Sequence, residues 1–254
     1  MPRIDTAAGE LFYTIEQGPT DGPTLLLVHG AGGSRLHWPP ELRRMAEATV
    51  YTLDLPGHGR SEGSGCETIE CYAQTVIAFL KAADVGQVTV VGHSMGGAIA
   101  QNLALEHLDC ISALGLIATG ARLRVAPAIL ENIRDNFDHA VTLITRYAWA
   151  PDAQPSLVEL GREALEGTGP DVLFGDFLAC DRFDVMDRMG EIEVPVLVVN
   201  GTADRLTPVK YARFLAEQIR DARLVTVERA GHMVMLERPD EVGEAFQEFV
   251  TESH

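Results

Sequence analysis

The stretch that most constrains this chain is Val88-Thr89-Val90-Val91-Gly92-His93-Ser94-Met95-Gly96-Gly97, followed at once by Ala98-Ile99-Ala100-Gln101. The β-branched run lacks alternation and reads as a strand buried on both faces. The Ala- and Leu-rich segment from Gly97 to Glu106 reads as a helix. A chain that leaves a buried strand and enters a helix within so few residues must turn sharply. Only glycines at the flanking positions, Gly92 and Gly96, let the two backbones come so close. Ser94 is then held in a strained conformation with its hydroxyl projecting beyond the sheet, which is the placement a nucleophile needs.

Three further runs rich in Val, Leu and Ile, Thr24 to Val28, Ile111 to Ile117 and Val194 to Val199, end at Gly or polar residues and read as buried strands. Between strands, Ile69, Tyr72, Ala73, Val76, Leu80 and Ala83 recur at helical steps. The alternation predicts an α/β domain with a mostly parallel sheet and helices on both faces, and Gly9 to Glu16 is expected to supply an antiparallel edge pair. The order breaks between Gly120 and Gly190. There Leu130, Ile133, Phe137, Ala140, Ile144 and Tyr147, then Val172, Leu173, Phe177 and Leu178, follow helical spacing without a buried strand. The expected organisation is a core of residues 1–120 and 191–254 with a helical layer, 121–190, inserted. If that layer roofs an active site, Trp149 or Phe137 touches substrate.

Composition removes several classes of function. With 46% hydrophobic and 22% charged residues the chain is that of a globular protein, and no apolar run approaches the roughly 20 residues that span a bilayer. Acids outnumber bases 37 to 20, a formal charge of −17, so the surface field repels phosphate backbones and no nucleic-acid partner is expected. Met1-Pro2-Arg3-Ile4-Asp5-Thr6 has no basic start leading into an apolar stretch, so no signal peptide is read and a cytoplasmic location is expected. Cys66, Cys71, Cys110 and Cys180 are too sparse for a disulfide scaffold and are expected to be buried free thiols. No Cys/His cluster suggests a metal, and no cofactor is called for. The sequence sets no oligomeric state.

A serine hydroxyl is a poor nucleophile at neutral pH and needs a base, which in turn needs an orienting carboxylate. Of the eight histidines, His107, His139 and His254 have ordinary explanations as a helix end, part of the insert and a terminus. His232, in Ala230-Gly231-His232-Met233, lies just beyond the last expected strand, Leu224 to Val227, where a loop at the carboxyl edge of the sheet leads towards Ser94. For the carboxylate, Asp204 follows the strand ending at Asn200-Gly201. Asp54 competes, but it opens the turn-rich Leu55 to Ser61, where an Asp more naturally bonds local backbone. The oxyanion formed on attack needs two preorganised N–H donors. The amide of Met95 is one candidate, and that of Ala31, in His29-Gly30-Ala31-Gly32-Gly33, is the other. This glycine-rich loop matches neither the P-loop nor the dinucleotide pattern.

His29-Gly30, Asp54 to Ser61, Ser94 in its elbow, Asp204 and His232, in that order, resemble the α/β-hydrolase superfamily, serine-nucleophile branch. The resemblance spans most of the chain and implies an eight-stranded, mostly parallel sheet with a helical cap inserted after the sixth strand. Haloalkane dehalogenases and epoxide hydrolases of this family carry Asp where this chain has Ser94, which argues against both. The implied chemistry is cleavage of a small, mainly apolar carboxylic ester through an acyl-enzyme, with Leu206 and Met233 as pocket walls. Enol-lactonases, thioesterases, C–C bond hydrolases of aromatic catabolism, cofactor-free perhydrolases and a menaquinone-pathway lyase share such an elbow, so lactone or C–C bond hydrolysis is the alternative. A non-catalytic ligand sensor on the same scaffold is a third reading, and the complete Ser, Asp and His set counts against it.

Overall fold

In the computed structural model, which describes residues 2–253, one sheet carries eight strands. In chain order these are β1 (Arg3–Thr6), β2 (Gly9–Glu16), β3 (Thr24–Val28), β4 (Thr49–Leu53), β5 (Val88–His93), β6 (Ile111–Ile117), β7 (Val196–Gly201) and β8 (Ala222–Val227). They lie side by side as β1-β2-β4-β3-β5-β6-β7-β8. β2 is antiparallel to β1 and β4, and the other neighbours are parallel. The α/β-hydrolase sheet implied by the sequence is therefore present. The edge pair differs from expectation: Gly9–Glu16 is a single strand, and its partner is Arg3–Thr6. The chain reverses at Ala7-Ala8, where the Thr6 hydroxyl accepts from Ala8 N and donates to Gly9 O.

The helices are α1 (Pro40–Arg43), α2 (Ile69–Ala82), α3 (Met95–Glu106), α4 (Pro127–Asp135), α5 (Phe137–Ala148), α6 (Pro155–Thr168), α7 (Pro170–Arg182), α8 (Val209–Gln218), α9 (Val234–Glu237) and α10 (Pro239–Glu252). Successive strand side chains point to opposite faces, and here both faces are apolar because helices cover both. Leu26, Val28, Val90 and Leu116 pack beneath α2, α3 and α8. Leu25, Leu27, Val91 and Val199 pack against α1 and the Phe246 and Phe249 side of α10. The helices α4 to α7 all fall between β6 and β7 and build a separate small core from Ile133, Ala140, Val141, Ile144, Leu165 and Leu173. Three of them start with proline at the first turn, where its missing N–H costs nothing. Asn136 caps α5 by accepting from His139 N.

The expectation of four free thiols is overturned at one pair. Cys66 and Cys71 form a disulfide across Cα atoms 6.0 Å apart. Cys71 lies in the first turn of α2, and Thr68 caps that turn by accepting from Cys71 N. The cap folds the preceding loop over the helix start and brings Cys66 within bridging reach. Cys110 and Cys180 are free, but only Cys180 is buried as expected, Cys110 being partly exposed. Among the described residues, no helix is long and apolar enough to cross a membrane, and no group of three or more His, Cys, Asp or Glu side chains is placed to hold a metal ion.

Candidate active site

Between the end of β5 and the first residue of α3, Ser94 has φ 53° and ψ −115°, a left-handed conformation rarely adopted by a residue with a Cβ. Its backbone is pinned on both sides. Ser94 N donates to Ile117 O at 2.9 Å, and Ser94 O accepts from Thr119 Oγ1 at 2.8 Å and from Gly97 N at 2.9 Å. A Cβ at Gly92 would lie 2.1 Å from Gly96 O, and one at Gly96 would lie 2.0 Å from Val28 O. The two flanking glycines are thus required by contact with backbone that has nowhere to move.

His232 and Asp204 stand on the loops that follow β8 and β7. His232 Nδ1 lies 2.9 Å from Asp204 Oδ2, with the two side chains 6% and 0% exposed. Asp204 is itself held: Oδ1 accepts from Leu206 N at 2.8 Å and Thr207 N at 2.9 Å, and Oδ2 accepts from Thr207 Oγ1 at 2.7 Å. Thr207 Oγ1 is also 3.1 Å from His232 Nδ1. Sequence reasoning missed Thr207, although an Asp followed three residues later by Thr in a turn is the local signal for such a bond. The histidine loop is also latched to the end of α5. His232 N and Met233 N both donate to Ala148 O, and the Glu237 carboxylate accepts from Gly231 N and Ala150 N. Burial raises the Glu237 carboxyl above its usual value, against the pull of those amides.

His93 supports the same loop. Its Nε2 lies 3.0 Å from His232 O, and its ring packs 4.8 Å from that of His232. Burial, then the neighbouring His232, holds His93 well below its ordinary pKa, so the ring is neutral. Nε2 then carries the proton it donates to the carbonyl, and Nδ1 is left as a buried, unpartnered acceptor.

Ser94, His232, Ala31, Leu206 and Met233 line one cavity of about 340 Å³. Asp204 lies behind His232, and Met95 opens α3. Among the described residues, neither the Ala31 nor the Met95 amide has an acceptor within the chain. The insert contributes Ile129, Ile144, Trp149, Leu165 and Phe177 to the cavity wall. Phe137, by contrast, packs on the insert's own core. His37 also lines the cavity and was not foreseen; burial, then the nearby His58, pushes it down to about 4. Asp54 accepts from Arg60 N, the local backbone bond expected of it, and also from Arg35 N and the Arg35 guanidinium, which were not foreseen.

One further carboxylate ties the insert to the loop that carries Ala31. Asp176 of α7 is fully buried and accepts from Gly32 N at 2.8 Å, from His58 Nε2 at 2.8 Å and from the Tyr72 hydroxyl. Burial alone would lower the His58 pKa, but the Asp176 carboxylate, joined by the Pro56 carbonyl and the charge of Asp54, more than offsets this and leaves it raised. A raised folded-state pKa gives stability that is complete below the ordinary value of 6.5 and is lost as pH climbs through the raised one. Asp176→Asn is expected to lower stability by about 3 kcal/mol, since it strands buried donors, and the melting temperature by roughly 6–12 °C. It should also flatten the dependence of melting temperature on pH above about 6.5. A variant that melts within about 2 °C of the native protein throughout that range contradicts this account.

Residues 25–245 match the alpha/beta hydrolase family. The pimeloyl-[acyl-carrier protein] methyl ester esterase of Neisseria meningitidis is 29% identical over 88% of this chain and 92% of its own length. Among solved structures, the enol-lactonase from Burkholderia xenovorans LB400 is similar with a TM-score of 0.91 and 26% identity, covering 98% of this chain and 100% of that one. A thermophilic esterase is similar with a TM-score of 0.88 and 34% identity, covering 99% and 97%. The family match begins in β3 and ends in α10, so it takes in the serine turn and both loops that meet behind it, and the chain belongs to the alpha/beta hydrolase family.

Proposed function

We propose that the protein is a serine hydrolase that cleaves a small, mainly apolar carboxylic ester through an acyl-enzyme intermediate. One observation carries the reading: the strained Ser94 and the Asp204-held His232 open onto the same cavity. With Nδ1–H of His232 directed at Asp204, the lone pair of Nε2 is free to take a proton. Ser94 Oγ attacks the ester carbonyl as His232 Nε2 removes its proton, and the carbonyl oxygen becomes an oxyanion held by the Ala31 and Met95 amides. His232 returns the proton to the departing alkoxide, leaving Ser94 acylated. A water then gives a proton to His232, attacks the acyl carbon and displaces Ser94, which recovers its hydrogen as the acid leaves.

In this reading residues 121–190 act as a cap. Their apolar side chains wall the cavity and exclude water, which strengthens each hydrogen bond to the oxyanion. The similarity to esterases supports ester cleavage. The similarity to an enol-lactonase favours a second substrate form, a lactone, whose ring ester opens by the same steps.

A fluorophosphonate probe tests the proposal. Stoichiometric modification of Ser94, with loss of p-nitrophenyl ester hydrolysis in proportion, is the expected result. A protein that leaves Ser94 unmodified while binding a small ligand tightly is a sensor instead.

A further inference from the structure

The chain carries 37 acids against 20 bases, yet among the described residues the only Asp, Glu, Lys or Arg side chains lining the cavity are Arg124 and Arg205. Both are also exposed, so they stand where the cavity meets solvent. Among the described residues neither has a carboxylate partner. Arg205 donates to the carbonyl of Arg146 and stacks 4.9 Å from the centre of the Tyr147 ring, while Arg124 has no hydrogen-bond partner among the described residues. A second cavity of about 300 Å³ shares Tyr211 with the first. It adds Lys210 and Arg122, again with no acid in its lining among the described residues, and of these two Arg122 is paired with Asp184.

We propose that the ester or lactone cleaved at Ser94 carries an anionic group, a carboxylate or a phosphate, that docks on Arg124 and Arg205 at the solvent end of the cavity. This rests on the serine-hydrolase reading above. A neutral substrate gains nothing from guanidinium groups beside an apolar wall, where their desolvation is a cost. An anion approaching a chain of net charge −17 is repelled everywhere except where cations stand without acids. The fork of an arginine matches two oxygens of either group, and Lys210 beyond Tyr211 extends the same sign of charge. The substrate then lies with its apolar middle against Leu123, Ile129 and Met233 and its charged end at the arginines.

The test compares p-nitrophenyl hydrogen glutarate with p-nitrophenyl pentanoate, which have equal acyl lengths but end in a carboxylate and a methyl group. The ratio of their kcat/KM values is expected to exceed about ten for the native protein, the gain from one charge-assisted pair. It should fall about tenfold in Arg124→Gln and below one in Arg124→Glu. Competitive inhibition by glutarate but not by inorganic phosphate assigns a carboxylate, and the reverse assigns a phosphate. A native ratio at or below one, or a ratio unchanged in both variants, overturns the anion site and leaves the esterase reading standing. If neither ester turns over but Ser94 still takes the fluorophosphonate, the readout becomes protection of Ser94. Slower labelling in glutarate or phosphate then supports the site, and unchanged labelling overturns it. Failure of Ser94 to label at all removes the serine-hydrolase reading, and this inference with it.

Discussion

Ser94→Ala is expected to lower kcat by about 10⁶, the scale on which removal of a triad serine acts, or about 8 kcal/mol of transition-state stabilisation. The loss is this large because, among the described residues, no other hydroxyl lining the cavity sits on a backbone of positive φ. The bonds that pin the elbow, from Ser94 N to Ile117 O and from Thr119 Oγ1 and Gly97 N to Ser94 O, all involve backbone atoms of residue 94. Alanine keeps them, so the variant should fold with the same turn and bind ester with a nearly unchanged affinity. What survives is the help that bound amides give to attack by water, a residue of about 10³–10⁴ over the uncatalysed rate. Steady-state hydrolysis together with a melting curve makes the comparison. Activity above a tenth of the native value in a properly folded variant would show that another group carries the attack.

The elbow was legible in the sequence because strand, turn and helix follow one another in a single short stretch, and Gly92 is required by Gly96 O within that turn. The strands β3, β5, β6 and β7 were legible because burial on both faces leaves an unbroken apolar run. Asp204 and His232 could be chosen because each lies just past a strand end. What stayed hidden depends on pairs distant in the chain. Asp176 meets Gly32 across 144 positions and His58 across 118, and within α7 it is one of three aspartates, with Asp171 and Asp181, so nothing in the pattern marks it as the buried one. Glu237 likewise reaches Ala150 across 87 positions. β1 is short and half exposed, so it has no apolar pattern from which to read a partner. The Cys66–Cys71 bridge follows from the way Thr68 caps α2, which spacing alone does not express. The arginines at the cavity mouth come from the segment after β6 and the loop after β7, and only the fold brings these together.

Asp204→Asn is expected to lower kcat/KM by about 10⁴ while barely changing the stability of the fold, a magnitude set by the wrong histidine tautomer rather than by lost structure. The asparagine carbonyl oxygen can occupy the Oδ1 position and keep the bonds from Leu206 N and Thr207 N, which lie 2.8 and 2.9 Å away. Its amide nitrogen then takes the Oδ2 position, 2.9 Å from His232 Nδ1 and 2.7 Å from Thr207 Oγ1. That nitrogen can only donate, so Nδ1 must present a lone pair and the imidazole proton moves to Nε2. A ring protonated there cannot accept the Ser94 hydrogen. The Thr207 hydroxyl can turn to accept from the new amide, so no buried group is orphaned. The outcome sought is therefore a split: a melting temperature near the native one, with hydrolysis and fluorophosphonate labelling of Ser94 slowed to a similar degree. A loss of less than about tenfold would place the orienting carboxylate elsewhere, since a tautomer switch at the base leaves no comparable route to the serine proton.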